Sequence, residues 1–196
     1  MLPNEMINLE GITCLLVDDN VQCLDILGVV VSSFGVANIV KCTSVREAKE
    51  VLSSSVVDIV LTDAQMPGED GYALIEWLRR HAAKENRFIP AIILTGHTRQ
   101  SQITAARDRG AHFAIAKPIT PRVILERIFW VARDERMTIE TKTYCGPDRR
   151  FKQEGPPPGK SGRRRGDEDA GPVGPAGRNL DQDLINAMVK PAKVMI

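Results

Sequence analysis

The chain has 196 residues, 43% of them hydrophobic, with 26 Lys+Arg against 25 Asp+Glu. That length and apolar content suit one domain of ordinary size with an appendage, and the net charge of +1 says little until it is divided along the chain. The balance is uneven, however. Residues 1–134 carry 14 basic and 16 acidic groups, whereas residues 142–165 carry 8 basic and 2 acidic, so the positive charge is local.

No run reaches the ~18 apolar residues of a bilayer span, and no basic-then-apolar leader opens the chain. A reducing, cytoplasmic location is therefore expected. Cys14, Cys23, Cys42 and Cys145 show neither CxxC spacing nor a disulfide framework. Cys14 and Cys42 lie in strand-like runs and read as buried thiols. Cys145 lies in the polar tail, where a thiol is open to reaction, although no neighbouring residue argues for it. Three scattered histidines argue against a transition-metal site.

Along the chain, Thr13–Asp18 reads as a first strand, and Asp18-Asp19-Asn20 opens a helix to about Phe34. One carboxylate of the pair reads as a cap candidate, and Gly35 as the stop. Asn38–Thr43 is a second strand, and Ser44-Val-Arg-Glu47 has the capping-box pattern. Val57–Asp63 forms a third strand, cut off by Met66-Pro67-Gly68. A helix from about Asp70 carries Leu74, Trp77 and Leu78 on one face. Ala91–Thr95 is a fourth strand, followed by a helix over about 99–109 and a stop at Gly110. His112–Ala116 is a fifth strand, and Thr120-Pro121 caps a last helix with Ile124, Ile128 and Val131 on its apolar side. This alternation predicts an α/β fold, a five-stranded parallel sheet doubly wound with helices.

In a parallel sheet the strand ends share one edge. Strand one ends in Asp18-Asp19, strand three in Asp63, strand four in Thr95 and strand five in Lys117-Pro118. Three carboxylates gathered there repel unless a cation joins them. Mg²⁺ suits such a set, because it takes a few carboxylates and keeps several waters. A carboxylate beside such an ion can attack phosphorus, while an ammonium and a hydroxyl stabilise the equatorial oxygens. No Gly-rich phosphate loop is present, so the phosphoryl group need not arrive on a bound nucleotide.

With the Asp pair, Asp63, the Met66-Pro67-Gly68 turn, Thr95 and Lys117-Pro118 at these spacings, residues from about 12 to 134 resemble the receiver domain of bacterial two-component response regulators. The resemblance implies a flavodoxin-like fold and a phosphoacceptor whose only chemistry is self-phosphotransfer and self-dephosphorylation. Asp63 would take a phosphoryl group from a phosphohistidine, carried by a sensor histidine kinase or a histidine phosphotransferase, and the signal would pass on to a downstream protein. Asp19 would bind Mg²⁺ directly, with Asp18 assisting through water and the Gln65 carbonyl completing the shell. Thr95 would bond the phosphoryl group and Lys117 would pair with it. One departure stands out. Many receivers place an aromatic three residues before the Lys-Pro, where this chain has Ala114. Phe113, one position earlier, points to the opposite face of the strand. Gln65 and His97 flank the site.

Beyond about Glu135 the periodicity breaks. Residues 146–177 hold 8 of the 15 glycines and 6 of the 12 prolines, a composition that cannot bury enough surface to offset its ordering entropy. A largely disordered linker is expected over 135–178, then a short amphipathic segment over 179–196 with Leu180, Leu184, Ile185 and Met188 at helical spacing. Tyr144–Phe151 sets two aromatics beside Arg149-Arg150, and Arg163-Arg164-Arg165 follows. Such a stretch reads as a solvated linker before it reads as a binder of nucleic acid or of an acidic partner. Two alternatives to the relay follow: a switched binding module acting through this tail, and a scaffold that keeps the site without using it. A helix-turn-helix output needs roughly three amphipathic helices where residues 135–196 offer one, and a diguanylate cyclase or phosphodiesterase domain would not fit there.

Overall fold

The computed structural model describes residues 9–96, 100–134, 136 and 138–148. The expectations for the basic triplet, for the 179–196 segment and for His97 lie outside the described residues. Five strands, β1 (Thr13–Val17), β2 (Asn38–Cys42), β3 (Ile59–Asp63), β4 (Ala91–Thr95) and β5 (Phe113–Ala116), alternate with five helices. The helices are α1 (Val21–Ser33), α2 (Val45–Ser54), α3 (Gly71–His81), α4 (Gln100–Asp108) and α5 (Pro121–Ala132). All five strands are parallel, in the order β2-β1-β3-β4-β5.

Two apolar layers flank the sheet. Cys14, Leu16, Leu61, Ile92 and Leu94 face α1 and α5, where Leu24, Leu27, Val31, Ile124 and Ile128 meet them. The alternate residues Leu15, Val17, Val60 and Ile93 face α2, α3 and α4. Buried on both faces, the central strands read as continuous apolar runs.

Local chemistry ends the helices. Asn20, and neither Asp18 nor Asp19, caps α1, its side chain accepting from the N–H groups of Gln22 and Cys23. The acidic pair is therefore not spent on capping. Ser44 caps α2 by accepting from Glu47 N–H, while the Glu47 carboxylate reaches back to the Thr43 N–H at 2.8 Å. The reciprocal bond of the capping box thus lands one residue early. Asp70 and Thr120 cap α3 and α5.

Part of the expected linker is ordered differently. Residues 138–147 form an antiparallel ribbon of β6 (Thr138–Glu140) and β7 (Cys145–Pro147). It packs beside Gly110, which has φ +91°, and a Cβ there would lie 2.3 Å from the Cys145 carbonyl. Arg79, buried below, donates to the Gly110 and Arg87 carbonyls, and Arg87 pairs with Glu140. Burial lowers the Arg79 pKa to about 10, and those main-chain carbonyls supply acceptors in place of water. Cys145 is therefore no exposed thiol. It is buried, and burial pushes its pKa up against the opposing pull of Arg79 and Arg87. Cys14 and Cys42 are buried as expected, with pKa values pushed up to about 12 and about 11 by burial first.

Candidate functional site

Register sets the site. Val17 pairs with Thr62, Asp63 with Leu94 and Thr95 with Ala116, so the residues that follow or end these strands share one edge. Close packing of α3 fixes the Asp63 backbone. A Cβ on Gly71 would sit 1.9 Å from the Asp63 carbonyl oxygen, so only glycine lets the helix begin this near. Two main-chain bonds tie the neighbouring strands at the same level, from Ala64 N–H to the Leu94 carbonyl and from Lys117 N–H to the Thr95 carbonyl, both 2.7 Å. The Lys117–Pro118 peptide bond is cis.

Asp18 and Asp63 are buried here, 3% and 7% exposed. Lys117 Nζ lies between them, 2.6 Å from Asp63 Oδ1 and 3.1 Å from Asp18 Oδ2. The other oxygens are held by main chain: Asp18 Oδ1 accepts from Asn20 N–H at 2.9 Å, and Asp63 Oδ2 from Gln65 N–H at 2.8 Å. Each carboxylate thus has one oxygen fixed by backbone and one turned to the ammonium. Burial alone would lower the Lys117 pKa. Its hydrogen bonds to Asp63 and Asp18, with their charges, more than reverse this and leave it above the ordinary lysine value.

Thr95 is buried at the end of β4. The phenol of Tyr72, in the first turn of α3, lies near its hydroxyl. Burial raises the Tyr72 pKa, with Thr95 opposing, so the phenol keeps its proton at neutral pH. Asp19 and Gln65 are exposed at the mouth of the site. The structure therefore brings Asp18, Asp63, Thr95 and Lys117 to one edge, leaves the Asp19 and Gln65 side chains in solvent, and adds Tyr72. The sequence reading passes over Tyr72, although an aromatic hydroxyl directly after the Asp70-Gly71 turn was a visible signal.

Ala114 and Phe113 behave as the period of the strand requires. Ala114 packs with the α2–α4 layer and Phe113 with the α1–α5 layer. The Phe113 ring meets Trp130 edge-on, centroids 4.7 Å apart, so it does not stand in for an aromatic at 114.

Among the described residues no three His, Cys, Asp or Glu side chains stand close enough to cage a metal ion on their own. The donor set is nevertheless hard and all-oxygen. Two buried carboxylates already converge on one cation, the ammonium, and an exposed carboxylate and a main-chain carbonyl stand nearby. That is a fit for an ion that keeps much of its water, as Mg²⁺ does.

A buried carboxylate at the carboxyl end of a parallel sheet, bridged to a second by lysine, is an arrangement that suits a domain of the phosphoacceptor class. The family described as the response regulator receiver domain matches residues 14–129, and the chain belongs to it. The family's members are phosphoacceptors, typically without enzymatic activity of their own, and generally bind Mg²⁺ at this acidic edge. Among curated relatives, the chain is 28% identical over 131 residues to the transcriptional regulatory protein GltR of Pseudomonas aeruginosa, covering 66% of this chain and 52% of GltR. It is also 28% identical over 114 residues to the chemotaxis protein CheY of the same organism, covering 58% of this chain and 90% of CheY. The chain thus spans about half the length of GltR. The solved structure of Vibrio cholerae CheY4 superimposes with a TM-score of 0.56 at 21% identity, covering 60% of this chain and 95% of that one, a likeness of fold. Among the described residues no helix is long and apolar enough to cross a membrane.

Proposed function

We propose that this protein is a response regulator of a two-component phosphorelay, taking a phosphoryl group on Asp63 from a phosphohistidine and signalling through protein contacts. The observation that carries this is the buried Asp63 carboxylate with the Lys117 ammonium 2.6 Å from Oδ1. In the reaction an Asp63 oxygen forms a bond to phosphorus as the P–N bond to the donor imidazole breaks. The imidazole leaves with the electron pair, and Asp63 becomes an acyl phosphate. Lys117 neutralises charge on the transferred group and the Thr95 hydroxyl donates to one of its oxygens. The Gln65 N–H keeps the carboxylate aimed. Mg²⁺, when bound by Asp19 with Asp18, Asp63 and the Gln65 carbonyl, supplies the remaining positive charge.

The donor's docking surface is proposed beside the site. Val21, Ile26 and Val29 of α1 are exposed, and a groove of about 190 Å³ runs between α1 and Pro118–Ile119, reaching Asp18 and Lys117. An apolar helical face next to the acceptor suits the helices of a histidine kinase or phosphotransferase. A cytoplasmic location is consistent with four free cysteines.

The test is intact-mass analysis after Mg²⁺ and acetyl phosphate, beside Asp63→Asn and a chelated control. One phosphoryl adduct that requires both Asp63 and the metal supports the relay. Its absence in a chain shown to bind Mg²⁺ would move the assignment to a scaffold that is not phosphorylated.

A further inference from the structure

A ribbon of two short strands does not hold itself together. Such a pair alone is marginal in water, and β6 and β7 meet only through Thr138–Pro147, Ile139–Gly146 and Glu140–Cys145. The turn is closed from inside. Thr141 N–H donates to the Tyr144 carbonyl at 2.7 Å, and Tyr144 N–H donates to Thr141 Oγ1 at 2.9 Å. The Tyr144 hydroxyl then donates to the Pro147 carbonyl at 2.6 Å. Thr138, Tyr144 and Cys145 are nonetheless buried, which a free-standing hairpin could not achieve. The surface that covers them is the amino edge of the sheet, where α3 ends and the chain turns into β4 and β5.

Two glycines meet there backbone to backbone. A Cβ on Gly146 would lie 2.6 Å from the Gly110 Cα, and one on Gly110 would lie 2.3 Å from the Cys145 carbonyl oxygen. Neither position accepts a side chain while the ribbon is seated. Beneath them two arginines clasp each other's main chain. Arg79 donates to the Arg87 carbonyl at 2.8 Å, and Arg87 donates back to the Arg79 carbonyl. Arg79 gives another N–H to the Gly110 carbonyl at 3.0 Å, beside the glycine contact, and Arg87 reaches Glu140 in β6. The clasp therefore ends both on the ribbon and on the turn that the ribbon covers. The lead-in from α5 is pinned too, with Arg136 Nε donating to Asp134 at 2.8 Å and its guanidinium 5.0 Å from the Trp130 ring. Arg79 is 1% exposed, and a guanidinium so placed needs acceptors held rigidly around it.

We propose that residues 138–147 are a latch that seals the amino edge of the receiver over Arg79 and sets where the tail leaves the domain. The folded unit then runs to Asp148 rather than to 134, and the tail starts from the edge opposite Asp63. A strand of five residues at about 3.3 Å each puts the two edges roughly 16 Å apart. The tail is thus tethered away from the phosphoacceptor edge. This stands whether or not Asp63 is phosphorylated.

The experiment is hydrogen exchange read by mass spectrometry on the full chain, comparing wild type, Gly146→Ala and Glu140→Gln, with thermal midpoints for all three. In wild type the segment 138–147 is protected at least about a hundredfold over an unstructured chain. Gly146→Ala unseats the latch and raises exchange there roughly tenfold or more, together with exchange over the covered segments 79–87 and 105–111. Glu140→Gln removes one partly exposed ion pair and raises the same three segments roughly twofold to fivefold. Exchange over 138–147 at the unstructured rate in wild type would overturn the latch. So would variants that change nothing, or that loosen 138–147 alone and leave the two covered segments as they were. If Gly146→Ala does not fold, the pattern in Glu140→Gln decides by itself.

Discussion

Lys117→Met tests how the acidic edge is balanced. In the wild type one ammonium touches Asp63 at 2.6 Å and Asp18 at 3.1 Å, so the two carboxylate oxygens stand no more than ~6 Å apart. Methionine keeps most of the stem and removes the charge. Two buried anions at ~6 Å repel by about 3 kcal/mol at an effective dielectric of about 20. Removing one partner of a fully buried pair costs about 3–5 kcal/mol. The Lys117 side chain is 31% exposed, so water screens part of this, and a loss of about 2 kcal/mol is expected at neutral pH with metal chelated. Excess Mg²⁺ restores most of it, because a ligand that binds only the folded state stabilises by RT ln(1 + [L]/Kd). Urea unfolding with and without Mg²⁺ reads both quantities. In chelator, adding Asp18→Asn to K117M should recover at least half of the loss, since one anion then remains. A loss unchanged by Mg²⁺ and by Asp18→Asn would refute the charge argument and leave packing of the lysine stem as the cause.

Other perturbations are equally specific. Gly71→Ala drives a Cβ to 1.9 Å from the Asp63 carbonyl oxygen. Neither backbone can yield cheaply, so a stability loss above ~2 kcal/mol is expected together with slower phosphoryl uptake, read by urea unfolding and intact mass. Asn86 is buried, accepting from Val57 N–H and donating to the Leu52 and Ser55 carbonyls. Asn86→Ala strands these groups and should cost about 2–4 kcal/mol, with phosphoryl uptake kept wherever the chain is folded. His112 Nδ1 accepts from Ala91 N–H and faces Arg79 Nη2 at 3.4 Å. Burial first, then the Arg79 and Arg136 charges, hold its pKa well below the ordinary 6.5. The unfolded chain therefore binds the extra proton below that pH and the folded chain does not. Stability should fall by up to about 1.3 kcal/mol between pH 7 and pH 5.5, and His112→Asn, which keeps an acceptor, should flatten that slope in urea titrations.

Much of this architecture is legible in the sequence because each strand is an apolar run with a sharp polar stop. Val60-Leu61-Thr62-Asp63 and Ile93-Leu94-Thr95 announce both their burial and the edge on which their last residues lie. The convergence of Asp18, Asp63, Thr95 and Lys117 then follows from parallel pairing alone. Features that depend on packing across elements are not legible in the same way. Thr138–Glu140 and Cys145–Pro147 are three-residue strands, too short for a periodic signal, and they pack against Gly110 over the buried Arg79. Asn20 caps α1 because an oxygen of Asp18 is already held by the Asn20 N–H, a choice between adjacent polar residues that spacing does not decide. The approach of Tyr72 to Thr95 brings together residues 23 positions apart and needs the register of α3 against β4.

The same edge also explains why phosphoryl transfer here should depend on a divalent ion. Asp18 and Asp63 against Lys117 leave one net negative charge at the buried centre, before the exposed Asp19 is counted. A phosphoryl group brings further negative charge to within about 5 Å, where each repelling pair costs about 3 kcal/mol at an effective dielectric of about 20. Lys117 is already committed to both carboxylates, and Thr95, Tyr72 and the Gln65 N–H offer dipoles rather than charge. A divalent cation turns the centre from one net negative charge to one net positive charge. The lysine can then follow the phosphoryl oxygens without leaving two buried anions facing each other. On this argument the ammonium is a placeholder in the unphosphorylated protein. Its release from Asp18, more than any movement of Asp63, is the change expected on phosphorylation, and slower phosphoryl uptake at low Mg²⁺ would accompany it.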